Sequence, residues 1–196
     1  MYEINFDEMN RSIYANTAQS CLAQYINFTV TIPALAQPTL EELTKFRIRE
    51  IECDISPIEA VTLKLGTVLL PDEDRIGGDE YKQRRISLAG QFGYQQLNWL
   101  MEHQDEHPAF RALLGKIYID GTGIIVVDAH GYRCFPSLNR HGGRWYLSWA
   151  WLEHDLLRNG RIAVSGNSRQ MTGALGGLLL ACDLPKPTAE HSSDIG

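Results

Sequence analysis

The sequence predicts an α+β fold: a five-stranded antiparallel β-meander over about residues 116–165, packed on a main helix over about 79–104, with a mixed N-terminal segment. Three observations predict it. Five β-leaning segments follow one another between Lys116 and Ser165. Short glycine-bearing connections separate them, of the kind that tight hairpins use. Ahead of them, Ile86, Ala89, Gly93, Leu97 and Leu100 recur at helical spacing, an apolar stripe suited to covering one face of a sheet.

Each element has its own local reason. Asn27 to Ile32 is rich in β-branched and aromatic residues and is stopped by Pro33, so it reads as a strand. Thr39-Leu-Glu-Glu42 has the spacing of a capping box, which predicts a helix from Leu40. Ile48–Cys53 and Val61–Leu69 lean towards strand, although Ser56-Pro57 could instead open a helix there. Residues 71–78 are acidic and end in two glycines, the composition of a loop. Gly90 and Gly93 inside the main helix imply close packing against a neighbour, since each costs about 1 kcal/mol against alanine. Pro108 and Gly115 bracket a short second helix.

The meander strands are placed at about Lys116–Asp120, Ile124–Asp128, Tyr132–Asn139, Arg144–Leu152 and Arg161–Ser165. If Gly142-Gly143 is a two-residue loop, His141 faces Arg144, Asn139 faces Tyr146 and Leu138 faces Leu147, and facing residues share a side of the sheet. One side then collects Tyr132, Cys134, Pro136, Leu138, Trp145, Leu147, Trp149 and Trp151, a core face for the main helix to cover. The other collects Arg133, Phe135, Ser137, Asn139, His141, Arg144, Tyr146 and Ser148. Met171 to Cys182 is apolar enough for a short docking helix. The division expected is a single domain over 1–183 and a disordered tail over 184–196.

Composition narrows the setting. No apolar run approaches the roughly 20 residues that span a bilayer, and the first residues are acidic, so a cytoplasmic protein without a membrane contact is expected. Cys21, Cys53, Cys134 and Cys182 are scattered, which suggests reduced thiols and neither a zinc site nor a disulfide framework. The net charge is −6, but residues 41–80 hold eleven acids against five bases, and residues 111–169 hold eight bases against four acids. The two stretches can complement each other within one fold; a basic face for an anionic ligand or nucleic acid is the sharper alternative.

Specific catalytic signatures are missing: there is no Gly-x-Ser-x-Gly elbow, phosphate loop or dinucleotide fingerprint. Paired acids and imidazoles at Asp128-Ala-His130 and Glu153-His154-Asp155 fall at strand ends, where neighbours in sequence point to opposite sides. No catalytic residues and no cofactor are assigned. The first reading is a non-enzymatic binding or protein-interaction module that uses Arg133, Phe135, Ser137, His141, Arg144 and Tyr146, because arginine among aromatics and small hydroxyls is interface chemistry. Its partner would be another protein or a second copy. The alternative is a small metal-dependent hydrolase. His103-Gln-Asp-Glu106-His107 resembles the inverted zincin motif, in which two histidines on one helix face bind a metal and the glutamate acts as base. That requires the helix to run through His107.

Overall fold

The computed structural model describes residues 30–166, apart from 71, 87 and 89. The expected helix over 171–182, the limit at 183 and the tail lie outside the described residues. Within them the chain runs β1 (Thr31–Ile32), α1 (Leu40–Thr44), β2 (Ile48–Asp54), β3 (Val61–Gly66), β4 (Arg75–Ile76), α2 (Gly78–Ile86) and α3 (Tyr94–Glu102). A 3₁₀ turn (Gln104–Glu106) and α4 (Pro108–Arg111) follow, then β5 (Tyr118–Asp120), β6 (Ile124–Asp128), β7 (Arg133–His141), β8 (Arg144–Trp151), β9 (Leu156–Leu157) and β10 (Gly160–Ser165).

Local chemistry delivers several elements as expected. The Thr39 hydroxyl accepts from the Glu42 amide at 3.3 Å and the Glu42 carboxylate accepts from the Thr39 amide at 2.7 Å, the reciprocal pair that starts α1. Pro108 opens α4 at its first turn. At the tip of the β7–β8 hairpin, Gly142 and Gly143 have φ of 56° and 77°, the left-handed pair that a type I′ turn requires. The register follows: His141 faces Arg144, Asn139 faces Tyr146 and Leu138 faces Leu147.

The sheet is not a five-stranded antiparallel meander. Among the described residues it is a mixed sheet of eight strands, ordered β1-β3-β10-β5-β7-β6-β2 with β8 on β7, beside a two-stranded β4–β9 pair. β8 takes one edge of β7 from residue 134 to 141, so β5 and β6 share the other edge end to end. They form no hairpin with each other because the loop between them is fastened elsewhere. The Gly121 amide donates to the Pro136 carbonyl and the Gly123 amide to the Phe92 carbonyl, both at 2.8 Å. Pro136, which has no amide hydrogen to donate, sits where β7 passes from β6 to β5. β10 does not return to β8 either. The chain turns after Trp151, pairs through β9 with β4, and lays β10 parallel to β5 and antiparallel to β3. Ile162 and Ala163 are fully buried, as befits a strand covered on both faces.

The main helix is broken in two. Gly90 takes a φ of 65°, the Phe92 amide donates to the Ala163 carbonyl, and the Ser165 amide donates to the Gly90 carbonyl, so this stretch runs extended beside β10. Gly93 then caps α3. The glycines are therefore the interruption and not merely close-packing points within one helix. A side chain on Gly123 would stand 2.3 Å from the Gln91 carbonyl oxygen, which is why that loop can lie against the connector.

Alternate residues sort to the two faces of the sheet. Ile119, Ile124, Val126, Cys134, Leu138, Trp145, Leu147 and Ala163 join the larger cluster, where α3 supplies Tyr94, Leu97 and Leu100. Ile125, Phe135 and Ile162 join a second cluster on the opposite side, to which α2 contributes Tyr81. No helix among the described residues is long and apolar enough to cross a membrane. Cys53 on β2 is disulfide-bonded, and Cys134 is a free buried thiol. The expectation of reduced thiols does not hold at Cys53, since scattered spacing carries no local signal of pairing. In a cytosolic setting such a bond is the exception.

Candidate functional site

The rigid β7–β8 hairpin places the six residues expected to bind on one parity of the sheet, but not at one surface. Phe135 and Ser137 are buried. Phe135 packs edge-on against Tyr81 of α2, with ring centroids 6.3 Å apart. Arg133 is committed to an ion pair within the sheet, its Nε donating to Glu52 Oε2 at 2.6 Å. Arg144, His141 and Tyr146 remain at the open end, where α2 does not reach.

Those three form a set. Tyr146 is 54% exposed, and the His141 ring lies 5.6 Å from it, centroid to centroid. Arg144 Nη2 donates to Asp105 Oδ2 at 2.6 Å, and Arg111 Nη1 donates to the other oxygen of the same carboxylate at 2.5 Å. Arg144 chiefly holds the Asp105 carboxyl below its ordinary range. Two guanidinium groups on one carboxylate leave an excess positive charge beside the aromatic pair. Asn139 joins the strands by donating to Ser148 Oγ at 3.0 Å.

The tryptophan stripe runs from core to solvent. Trp145 is 2% exposed and stacks on Phe110, and Trp149 stacks on Tyr94 at 5.9 Å. Trp151 lies beyond the reach of α3, is 46% exposed, and has Tyr132 and His154 against it at 5.1 and 5.0 Å. Comparison with known protein families, curated proteins and solved structures finds no match.

Among the described residues β8 pairs only with β7, and part of its other edge is closed. In the observed register the amides and carbonyls of Trp145, Leu147, Trp149 and Trp151 point away from β7. The Gln104 side chain accepts from the Trp145 amide at 2.8 Å and donates to the Trp145 carbonyl at 3.3 Å, standing in for a strand. The Leu147 amide is directed at Met101 Sδ, 3.3 Å away.

The histidine segment does not form the helical face that the metal-hydrolase alternative requires. α3 ends at Glu102, His103 caps it, and a 3₁₀ turn intervenes before His107. His103 stacks on Trp99 at 4.3 Å with Nδ1 2.9 Å from the Trp99 carbonyl oxygen, and His107 lies tilted against the same ring. Among the described residues no group of three histidines, cysteines or acids is placed to hold a metal ion.

One titratable group that sequence reasoning passed over is Asp120, at the end of β5. It is 3% exposed and lies against Tyr81 of the second cluster. Tyr81 Oη donates to its Oδ2 at 3.4 Å, and Ser137 faces it across the β5–β7 pair. Burial pushes its carboxyl up to about 7, against the smaller opposing effects of the Ser137 and Tyr81 hydroxyls. The signal was present as an acid inside the apolar run Ile117-Tyr-Ile-Asp120.

Proposed function

We propose that the chain is a non-enzymatic binding module whose protein partner docks on the open end of the β7–β8 hairpin through Tyr146, Arg144 and His141. The observation that carries this reading is the half-exposed Tyr146 ring, held on a fixed strand beside a tethered guanidinium. Arginine and tyrosine dominate interface hot spots, and side chains already held in place lose little freedom on binding. Arg133, Phe135 and Ser137 support this surface from within the sheet. Gln104 and Met101 occupy the adjoining stretch of the β8 edge, which favours side-chain docking over strand addition.

The test compares Tyr146→Ala and Arg144→Ala with Trp151→Ala, the exposed tryptophan at the far end of the same strand. Cross-linked complexes from the native source are quantified by mass spectrometry, and sedimentation of the purified chain reports self-association. Loss of one complex in the first two variants, with retention in the third, supports the reading. Complexes unchanged in both Tyr146→Ala and Arg144→Ala refute it, and loss in Trp151→Ala alone moves the site to the Tyr132–Trp151–His154 rings.

A further inference from the structure

Asp120 sits under α2, and its hydrogen bonding is incomplete. Oδ2 receives a long bond from Tyr81 of α2, the Ser137 hydroxyl adds a second favourable interaction with the carboxylate, and Oδ1 has no hydrogen-bond partner among the described residues. Tyr81 of α2 and Ser137 of β7 interact with it directly, Tyr118 of β5 feels its charge, and Arg85 of α2 and Arg161 of β10 act on those two tyrosines, as Asp155 does on Tyr118. The two arginines are partly engaged with main-chain carbonyls. Arg85 Nη1 donates to Thr122 O at 3.4 Å, and Arg161 Nη1 donates to Arg158 O and Gly160 O at 2.8 and 2.6 Å. Tyr81, itself 1% exposed, closes the cluster from above.

A carboxylate has about four acceptor sites to satisfy, and leaving them unfilled in an apolar interior is costly. A neutral carboxyl is far better matched to this enclosure. We propose that Asp120 is a proton-linked latch for α2: with the proton on, α2 is closed over the sheet, and when the proton passes to solvent, water enters to solvate the carboxylate and α2 lifts. The direction agrees with the carboxyl's raised value. The closed form binds the proton more tightly than an open form does, so closure is fully favoured below the ordinary carboxyl value of 3.8 and is lost as pH rises through about 7.

Hydrogen exchange of the intact chain tests this, read on amides of residues 78–86 between pH 5 and 8 after correction for intrinsic rates. Opening of α2 is expected to grow with pH, by at most roughly a hundred-fold between pH 5 and 8. Asp120→Asn should abolish that pH dependence, which also separates the latch from titrating histidines. A flat profile in the native chain, or the same profile in Asp120→Asn, overturns the proposal. Should the variant fail to fold, the ¹³C carboxyl resonance of Asp120 in the native chain decides: titration near 7 supports the latch, and titration below 5 overturns it.

Discussion

Gln104→Met removes the side-chain amide that closes the first half of the β8 edge while keeping the volume. In the native chain that amide makes three bonds: Oε1 accepts from the Trp145 amide at 2.8 Å, and Nε2 donates to the Met101 and Trp145 carbonyls at 2.7 and 3.3 Å. Gln104 and Trp145 are each 2% exposed, so water does not readily replace the lost partner. An orphaned buried amide costs about 1–3 kcal/mol, and the other two bonds contribute about 0.5–1.5 kcal/mol each, so a loss of about 2–6 kcal/mol is expected. Urea denaturation with a two-state fit measures it, and hydrogen exchange at Trp145 shows whether the loss is local. A change below about 0.5 kcal/mol, with Trp145 still protected, would refute the argument that Gln104 acts as a strand neighbour.

Other outcomes follow from the same geometry. Gly123→Ala should destabilise the chain by about 1–3 kcal/mol or more, seen as a lower urea midpoint, because the new methyl meets the main chain of Gln91 and has no flexible side chain to displace. An unchanged midpoint would mean that the connector can yield. Glu73 is held below its ordinary value chiefly by the hydrogen bonds from Arg84, so its stabilising effect is present above about 4.5 and disappears as pH falls through the folded value. Glu73→Gln should therefore lower stability at pH 7 by less than about 1 kcal/mol, given partial exposure, and the difference should close in acid. Alkylation of the unfolded, unreduced chain should label Cys134 and spare Cys53, as peptide mass spectrometry can read directly. Labelling at Cys53 would contradict its disulfide.

What the sequence disclosed was local. The Thr39 box, Pro108 and the Gly142-Gly143 turn each act over four residues or fewer, and the hairpin register followed from loop length and alternation alone. The sheet order was hidden because β3, β5 and β10 meet across long stretches of chain, and no local signal says which edge β10 seeks. Gly90 and Gly93 were visible, but helical periodicity carried across them, and only the hydrogen bonds of Gly90 and Phe92 with Ser165 and Ala163 of β10 pull the segment straight. That break also reshaped the candidate site. A continuous helix would cover one face only, whereas the separated α2 lies on the other, burying Phe135 and Ser137 and leaving Tyr146, Arg144 and His141 outside. The exposure of Trp151 was missed for a related reason: alternation assigns a side of the sheet but not where the covering helix ends.

The place of β10 has a consequence for how the chain comes to be folded. This strand is the bridge between β3 and β5, yet among the described residues it follows every other strand of the sheet in synthesis. Until residues 160–165 emerge, β1 and β3 have no sheet to join, and the free edge of β5 stands unpaired. Folding must wait for contacts between residues about a hundred positions apart, which slows the search and leaves apolar strands open meanwhile. A chain cut before Gly160 would not lose a peripheral strand; it would separate the two arms of the sheet.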